Sequence, residues 1–254
     1  RTPLEPQLRG GSLLCETDAI LNLYQLSLPL LYASLQKSQG GGIFFSLRHP
    51  YGSLHSLLPC KKSAALPCRE SGSTLRFLLP VLGALGLSGV FQMEGRLPDR
   101  PLHPLDEVLT AHGMTIRRDG ALLHVAGQLR PGAYELPGDV SSQYISGLLM
   151  ALPRLPGEST LAVTGRLESA GYIAMTEDAL RLSGIRLQKQ ERTYTIPGGQ
   201  TVRLPAQSHV EGDWSNAAFF LCAGALGGET DITGLSPDSR QSDRAVVSLS
   251  LIHI

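Results

Sequence analysis

Arginines, hydroxyls and amides recur in this sequence where they could hold an anion. Arg96 and Arg100 follow one apolar strand pattern, Ser169 and Tyr172 a second, and Arg240, Gln241 and Asp243 a third. A guanidinium grips a carboxylate or phosphate with two donors in a fixed fork. Ser73, Thr74, Ser141 and Ser142 stand where helices are expected to begin. A helix N-terminus adds unpaired N–H groups and the positive end of a dipole. Taken singly, each of these reads as a solvated loop or cap residue. Their matching positions in successive repeats weaken that reading and point to the loops as the place to look for an anion site. Metal chemistry is not expected, because the four cysteines, Cys15, Cys60, Cys68 and Cys222, form no C-x-x-C pair and the seven histidines form no H-E-x-x-H pattern.

The elements that must position these groups repeat about every seventy residues. Each copy opens on small polar residues that suit a helix cap: Ser71-Gly72-Ser73-Thr74, Ser141-Ser142-Gln143 and Asp213-Trp214-Ser215-Asn216. In the first two, apolar residues follow at helical spacing, Leu75, Leu78, Leu79 and Leu82, then Ile145, Leu148, Leu149 and Leu152. The third follows more loosely with Phe219, Phe220 and Leu221. Strands ending in glycine are predicted over Val90–Gly95, Thr160–Gly165 and Thr230–Gly234. Second helices are predicted over Leu105–Gly113 and Thr176–Gly184, where glycine suits a left-handed C-terminal cap. Hairpins are predicted over Thr115–Val125, turning near Asp119-Gly120, and over Arg186–Ile196. The expected unit is helix, strand, helix, strand, strand, with helices packed together inside and sheets outside. The third copy is expected to lack its second helix and hairpin.

Composition sets the outer bounds. With 254 residues, 42% hydrophobic and 17% charged, the chain can bury a substantial core. Lys plus Arg and Asp plus Glu number 22 each, so no overall field draws it to nucleic acid or acidic lipid. The scattered cysteines fit a reduced cytoplasm better than a disulfide scaffold. The apolar stretch Ala19–Leu35 is interrupted by Asn22, Gln25 and Ser27, which argues against a membrane span. Residues 1–64 show neither clean caps nor strand alternation and are left unassigned. Within them Gly40-Gly41-Gly42, without a following G-K-[ST], reads as a plain loop.

Five ordered motifs carry a resemblance. They are Glu70-Ser71-Gly72-Ser73-Thr74-Leu75-Arg76, Gly95-Arg96-Leu97-Pro98-Asp99-Arg100-Pro101, Gly138-Asp139-Val140-Ser141-Ser142-Gln143-Tyr144, Ser169-Ala170-Gly171-Tyr172-Ile173 and Val210-Glu211-Gly212-Asp213-Trp214-Ser215. From about Ala65 to Arg244 the chain resembles the EPSP synthase family, transferases that join phosphoenolpyruvate to shikimate 3-phosphate. The resemblance implies an α/β fold of repeated βαβαββ units, the inside-out α/β barrel of enolpyruvyl transferases. It divides the chain into a substrate-binding domain of two units over 65–208 and the truncated start of a second domain over 209–254. It implies that Ser141, Ser142, Gln143, Ser169 and Tyr172 hold shikimate 3-phosphate, and that Gly72, Arg100 and Gln143 face phosphoenolpyruvate. It implies a monomer without metal or organic cofactor, and a reaction in which the shikimate 5-hydroxyl adds to C2 of phosphoenolpyruvate before phosphate leaves.

The match also has gaps. The family's opening P-G-S-K-S segment, with its lysine, has no counterpart in residues 1–64, and the family's aspartate base lies beyond the matched part, so no catalytic residue is assigned. The stretch from Val246 onward is expected to depart from the family as read-through of foreign DNA, and a frameshift before Ala65 would account for the start. The expected product is an incomplete chain, weakly active or inactive. The alternatives are a non-catalytic phosphometabolite-binding fragment, a UDP-N-acetylglucosamine enolpyruvyl transferase, or an aggregation-prone product.

Overall fold

The structure is a computed structural model, described for residues 64–203, 211–227 and 229–253. The patternless residues 1–63, with Ala19–Leu35, the glycine triplet, Cys15 and Cys60, lie outside the described residues, as does the expected domain boundary at 208.

Two units of the same design follow one another. The first runs β1 (Ala64–Arg69), α1 (Gly72–Leu85), β2 (Gly89–Met93), α2 (Leu105–Ala111), β3 (Met114–Asp119) and β4 (Leu122–Gly127). The second runs β5 (Ala133–Pro137), α3 (Ser142–Ala151), β6 (Ser159–Thr164), α4 (Ala170–Leu182), β7 (Gln188–Gln190) and β8 (Thr193–Ile196). The sheet orders are β1-β2-β4-β3 and β5-β6-β8-β7, so the two are copies in topology as well as in sequence. In each, the first two strands are parallel and joined through a helix, and the hairpin adds antiparallel to the second strand. Each unit therefore opens with a strand, β1 or β5, that the sequence reading did not place. α4 also starts at Ala170, six residues before the expected Thr176, and its buried stripe accordingly begins a turn earlier, at Ile173.

Helices α1 and α3 form the inner layer. Leu75, Leu79, Val81 and Leu82 of α1 and Ile145, Leu148, Leu149 and Ala151 of α3 are at most 1% exposed, and they join side chains of both sheets in one core. Helices buried on nearly every side belong inside a fold, and α4, buried only at Ile173, Thr176 and Leu180, belongs at its edge. Cys68 is part of this core, and burial pushes its thiol up to about 12, so it behaves as an inert apolar residue. Tyr194 of β8 donates to Glu177 Oε1 at 2.6 Å and Lys189 Nζ of β7 pairs with the same oxygen at 2.8 Å, which ties α4 to its sheet.

A third unit is begun by α5 (Trp214–Ala225), followed by a 3-10 turn (Ser242–Arg244) and α6 (Ala245–His253). This corrects two expectations. No strand forms at Thr230–Gly234, where among the described residues no neighbouring strand offers a ladder; its Gly234 carbonyl instead accepts from Gly212 N at 2.8 Å. A second helix does occur in this copy, as α6. Only Trp214 and Ala217 of α5 are buried, and Phe219 and Phe220 are 77% and 61% exposed.

The contact between α1 and α3 is set by Gly147. A Cβ there would lie 2.6 Å from the backbone oxygen of Arg76 and 3.0 Å from Pro80 Cγ. Pro80 has no N–H to return to that oxygen four residues earlier, so the carbonyl is free to face the neighbouring helix. The expected outcome for Gly147→Ala is a loss of about 1–3 kcal/mol, because backbone cannot yield as a side chain would. A urea midpoint unchanged from the parent would show that the helices can separate at little cost.

Candidate functional site

Three helix N-termini gather on one side of the first two units. Ser71 caps α1, its Oγ accepting from Thr74 N at 3.2 Å and lying 2.8 Å from Thr74 Oγ1. Ser141 caps α3, its Oγ accepting from Gln143 N at 3.3 Å. Each such cap is worth about 1 kcal/mol. Ser169 precedes α4 in the left-handed region at φ 55° and makes no side-chain cap bond. That backbone costs a non-glycine residue on the order of 1 kcal/mol, and it leaves an exposed hydroxyl unspent.

Gly72, Arg76, Arg100 and Gln143 converge where α1 meets α3. Arg76, one turn after Gly72 on α1, donates from Nη1 to Gln143 Oε1 at 2.8 Å. A Cβ on Gly72 would lie 3.2 Å from Arg76 Nη1 and 3.4 Å from Arg100 Nη1, so glycine keeps the floor of this corner open beneath two guanidinium groups. Neither arginine pairs with a carboxylate among the described residues. Tyr144 donates to the Pro101 carbonyl at 2.9 Å, which fixes the loop bearing Arg100 against α3. Burial pushes the Tyr144 phenol up, opposed by the charge and hydrogen bond of Arg76.

The loop before α3 and the loop before α4 are also joined. Glu168 N donates to the Gly138 carbonyl at 3.0 Å, and a Cβ on Gly138 would lie 2.9 Å from the Arg166 carbonyl oxygen. Farther along, Ser146 and Thr176 hydroxyls meet at 2.7 Å between α3 and α4. Ser141 and Ser142 thus stand beside the segment bearing Ser169 and Tyr172. Tyr172 is 44% exposed and turns toward the third unit, where its hydroxyl keeps company with Ser215 and Asp243. Burial raises its pKa first and the Asp243 carboxylate next, with the Ser215 hydrogen bond opposing them.

The post-strand polar residues divide on inspection. Arg240 is spent on Asp178 of α4 at 2.6 Å. Gln241 accepts from Trp214 N at 2.8 Å and donates to the Gly212 carbonyl at 2.9 Å, so it closes the start of α5. Asp243 accepts from Ser215 Oγ at 2.7 Å. Arg96 is exposed and stands outside the Arg76–Gln143 contact. Arg76 is the residue whose part the sequence reading left open; its i, i+4 spacing from Gly72 was the available signal. No group of three His, Cys, Asp or Glu side chains among the described residues could hold a metal ion, and no helix among them is long and apolar enough to cross a membrane.

Replacing Asp243 by Asn removes a negative charge that disfavours the phenolate, so the Tyr172 pKa should fall toward the usual value of about 10. Tyrosine-selective NMR across alkaline pH reads this directly. A Tyr172 pKa that does not move in Asp243→Asn would mean the carboxylate does not face it.

Comparison with known proteins meets this geometry. The sequence model of EPSP synthase (3-phosphoshikimate 1-carboxyvinyltransferase) matches residues 51–253. The match passes both limits set from the motifs, Ala65 and Arg244, and takes in residues 246–253, which were expected to depart from the family. The 3-phosphoshikimate 1-carboxyvinyltransferase of Brachyspira hyodysenteriae is 35% identical over 189 residues, covering 74% of this chain and 45% of that protein. That of Clostridium botulinum (strain Alaska E43 / Type E3) is 41% identical over 197 residues, covering 75% and 45%. The EPSP synthase structure from Acinetobacter baumannii superposes with a TM-score of 0.57 at 24% identity, over 72% of this chain and 41% of that one, a likeness of fold. The chain spans about half the length of the curated relatives it matches. On the family match and these identities, it belongs to the EPSP synthase family.

Proposed function

We propose that this chain furnishes a substrate-binding side for transfer of the carboxyvinyl group of phosphoenolpyruvate to the 5-hydroxyl of shikimate 3-phosphate. The observation that carries the reading is the corner of donors at the α1–α3 junction. Two guanidinium groups, the Gln143 amide and a helix N-terminus meet there, and among the described residues no carboxylate pairs with either guanidinium. Such a corner suits a small, doubly anionic molecule, and the open floor at Gly72 admits its close approach.

In this reading Gly72, Arg100 and Gln143 hold phosphoenolpyruvate, and Ser141, Ser142, Gln143, Ser169 and Tyr172 hold shikimate 3-phosphate. Gln143 lies between the two sets. Residues 65–208 form the substrate-binding domain and 209–254 begin a second one. The oxygen–C2 bond forms as the 5-hydroxyl adds, and the carbon–oxygen bond to phosphate breaks as inorganic phosphate leaves. The residues of the corner bind, orient and stabilise developing negative charge. The protein works as a monomer in the cytoplasm on these two metabolites.

Titration calorimetry with shikimate 3-phosphate, with and without phosphoenolpyruvate, beside a phosphate-release assay, tests the reading. Saturable binding is expected, tightened by the second ligand. Phosphate release would extend the assignment from binding to turnover. Binding of neither ligand would overturn it.

A further inference from the structure

We propose that Arg76 is a positioning residue: it locks the side-chain amide of Gln143 so that the NH2 group, and not the oxygen, faces the phosphoenolpyruvate side of the site. This rests on the functional reading above.

The assignment follows from donor and acceptor chemistry. A guanidinium has only donors, so the Gln143 atom 2.8 Å from Arg76 Nη1 must be the carbonyl oxygen. The NH2 group then points away from Arg76. Among the described residues no acceptor receives it, and the guanidinium of Arg100 near the same corner is likewise without a partner. An amide free to turn over would present its oxygen to an incoming anion half the time. One held by Arg76 presents two donors.

Arg76 is itself held in place. Its guanidinium carbon lies 5.6 Å from the centre of the Tyr144 ring. It also bonds the Tyr144 hydroxyl, which donates onward to Pro101, the neighbour of Arg100. Tyr144, itself tied to Pro101, thus holds the guanidinium from one side while Gln143 receives it on the other. Its side chain leans back along α1 toward Gly72, the direction in which helical side chains point, which brings it over the corner and not into the core.

A double-mutant cycle on the full chain separates positioning from direct ligation. Calorimetric affinity for phosphoenolpyruvate in the presence of shikimate 3-phosphate is compared for the parent, Arg76→Met, Gln143→Met and the double variant. Arg76→Met should weaken binding by at least about tenfold in the parent and by less than about twofold once Gln143 is Met, because an effect exerted through the amide disappears with it. Equal losses in both backgrounds would make Arg76 a direct ligand and overturn the proposal. Binding by Arg76→Met at parental strength would also overturn it. Failure of the parent itself to bind would overturn the functional reading and this inference with it. Should Arg76→Met not fold, NMR relaxation of the parent decides: an order parameter for the Gln143 side-chain nitrogen near that of rigid backbone is expected, and one as low as that of a freely turning side chain would overturn the lock.

Discussion

The close passage of α1 against α3 is the constraint on which the rest of the site depends. Gly147 gives α3 a smooth face, Pro80 frees the Arg76 carbonyl opposite it, and together they let two backbones approach at a distance that no side chain could share. Because the helices start from equivalent places in equivalent units, bringing them together brings their N-termini together. Gln143 on the first turn of α3 then comes within hydrogen-bonding reach of Arg76 on α1. Neither unit alone holds this corner. The site is a property of the repeat packing, which explains why residues sixty-seven apart in sequence act as one group.

Electrostatics turn that geometry toward anions. Burying or half-burying like charges without counter-ions is unfavourable, and a fold normally supplies carboxylates to offset them. The described ion pairs lie elsewhere, three of them on Glu177 and Asp178 of α4. Arg76 is instead steadied by a neutral amide and an aromatic ring, partners that fix its direction and leave its charge intact.

Much of the fold was legible because the repeat writes the same instructions twice. Ser71 and Ser141 cap their helices as their sequence positions predict, and the hairpin at Asp119-Gly120 forms where its turn residues place it. The strands β1 and β5 escaped notice because each ends next to the cap of a longer, stronger pattern. Thr230–Gly234 has strand-like alternation yet no ladder, since alternation specifies a face and not a neighbour. For the site, the resemblance named Gly72, Arg100 and Gln143, which the fold brings to one corner, while residue types drew attention to the loop arginines and amides. They could not separate Arg240 and Gln241, consumed by Asp178 and by the start of α5, from arginines left free, because that depends on which surfaces meet.

Those surfaces meet along a seam that also bears on ligand binding. The segment Arg240–Asp243 lies on the first turns of α4, Arg240 paired with Asp178 and Ser242 packed so near Gly171 that a Cβ there would lie 2.6 Å from its Oγ. This packing sets Asp243 beside Tyr172, the hydroxyl that the proposed reading gives to the shikimate phosphate. A phosphate dianion and a carboxylate repel one another at such range, and one hydroxyl proton cannot serve both. Occupancy by phosphate therefore requires the Asp243 side chain to turn wholly onto Ser215, whose hydroxyl already donates to it. The third unit thus meets the second through an ion pair, a close glycine contact and the Tyr172 phenol, and under the proposed reading the last of these would link ligand binding to the seam, a link that must run equally in both directions.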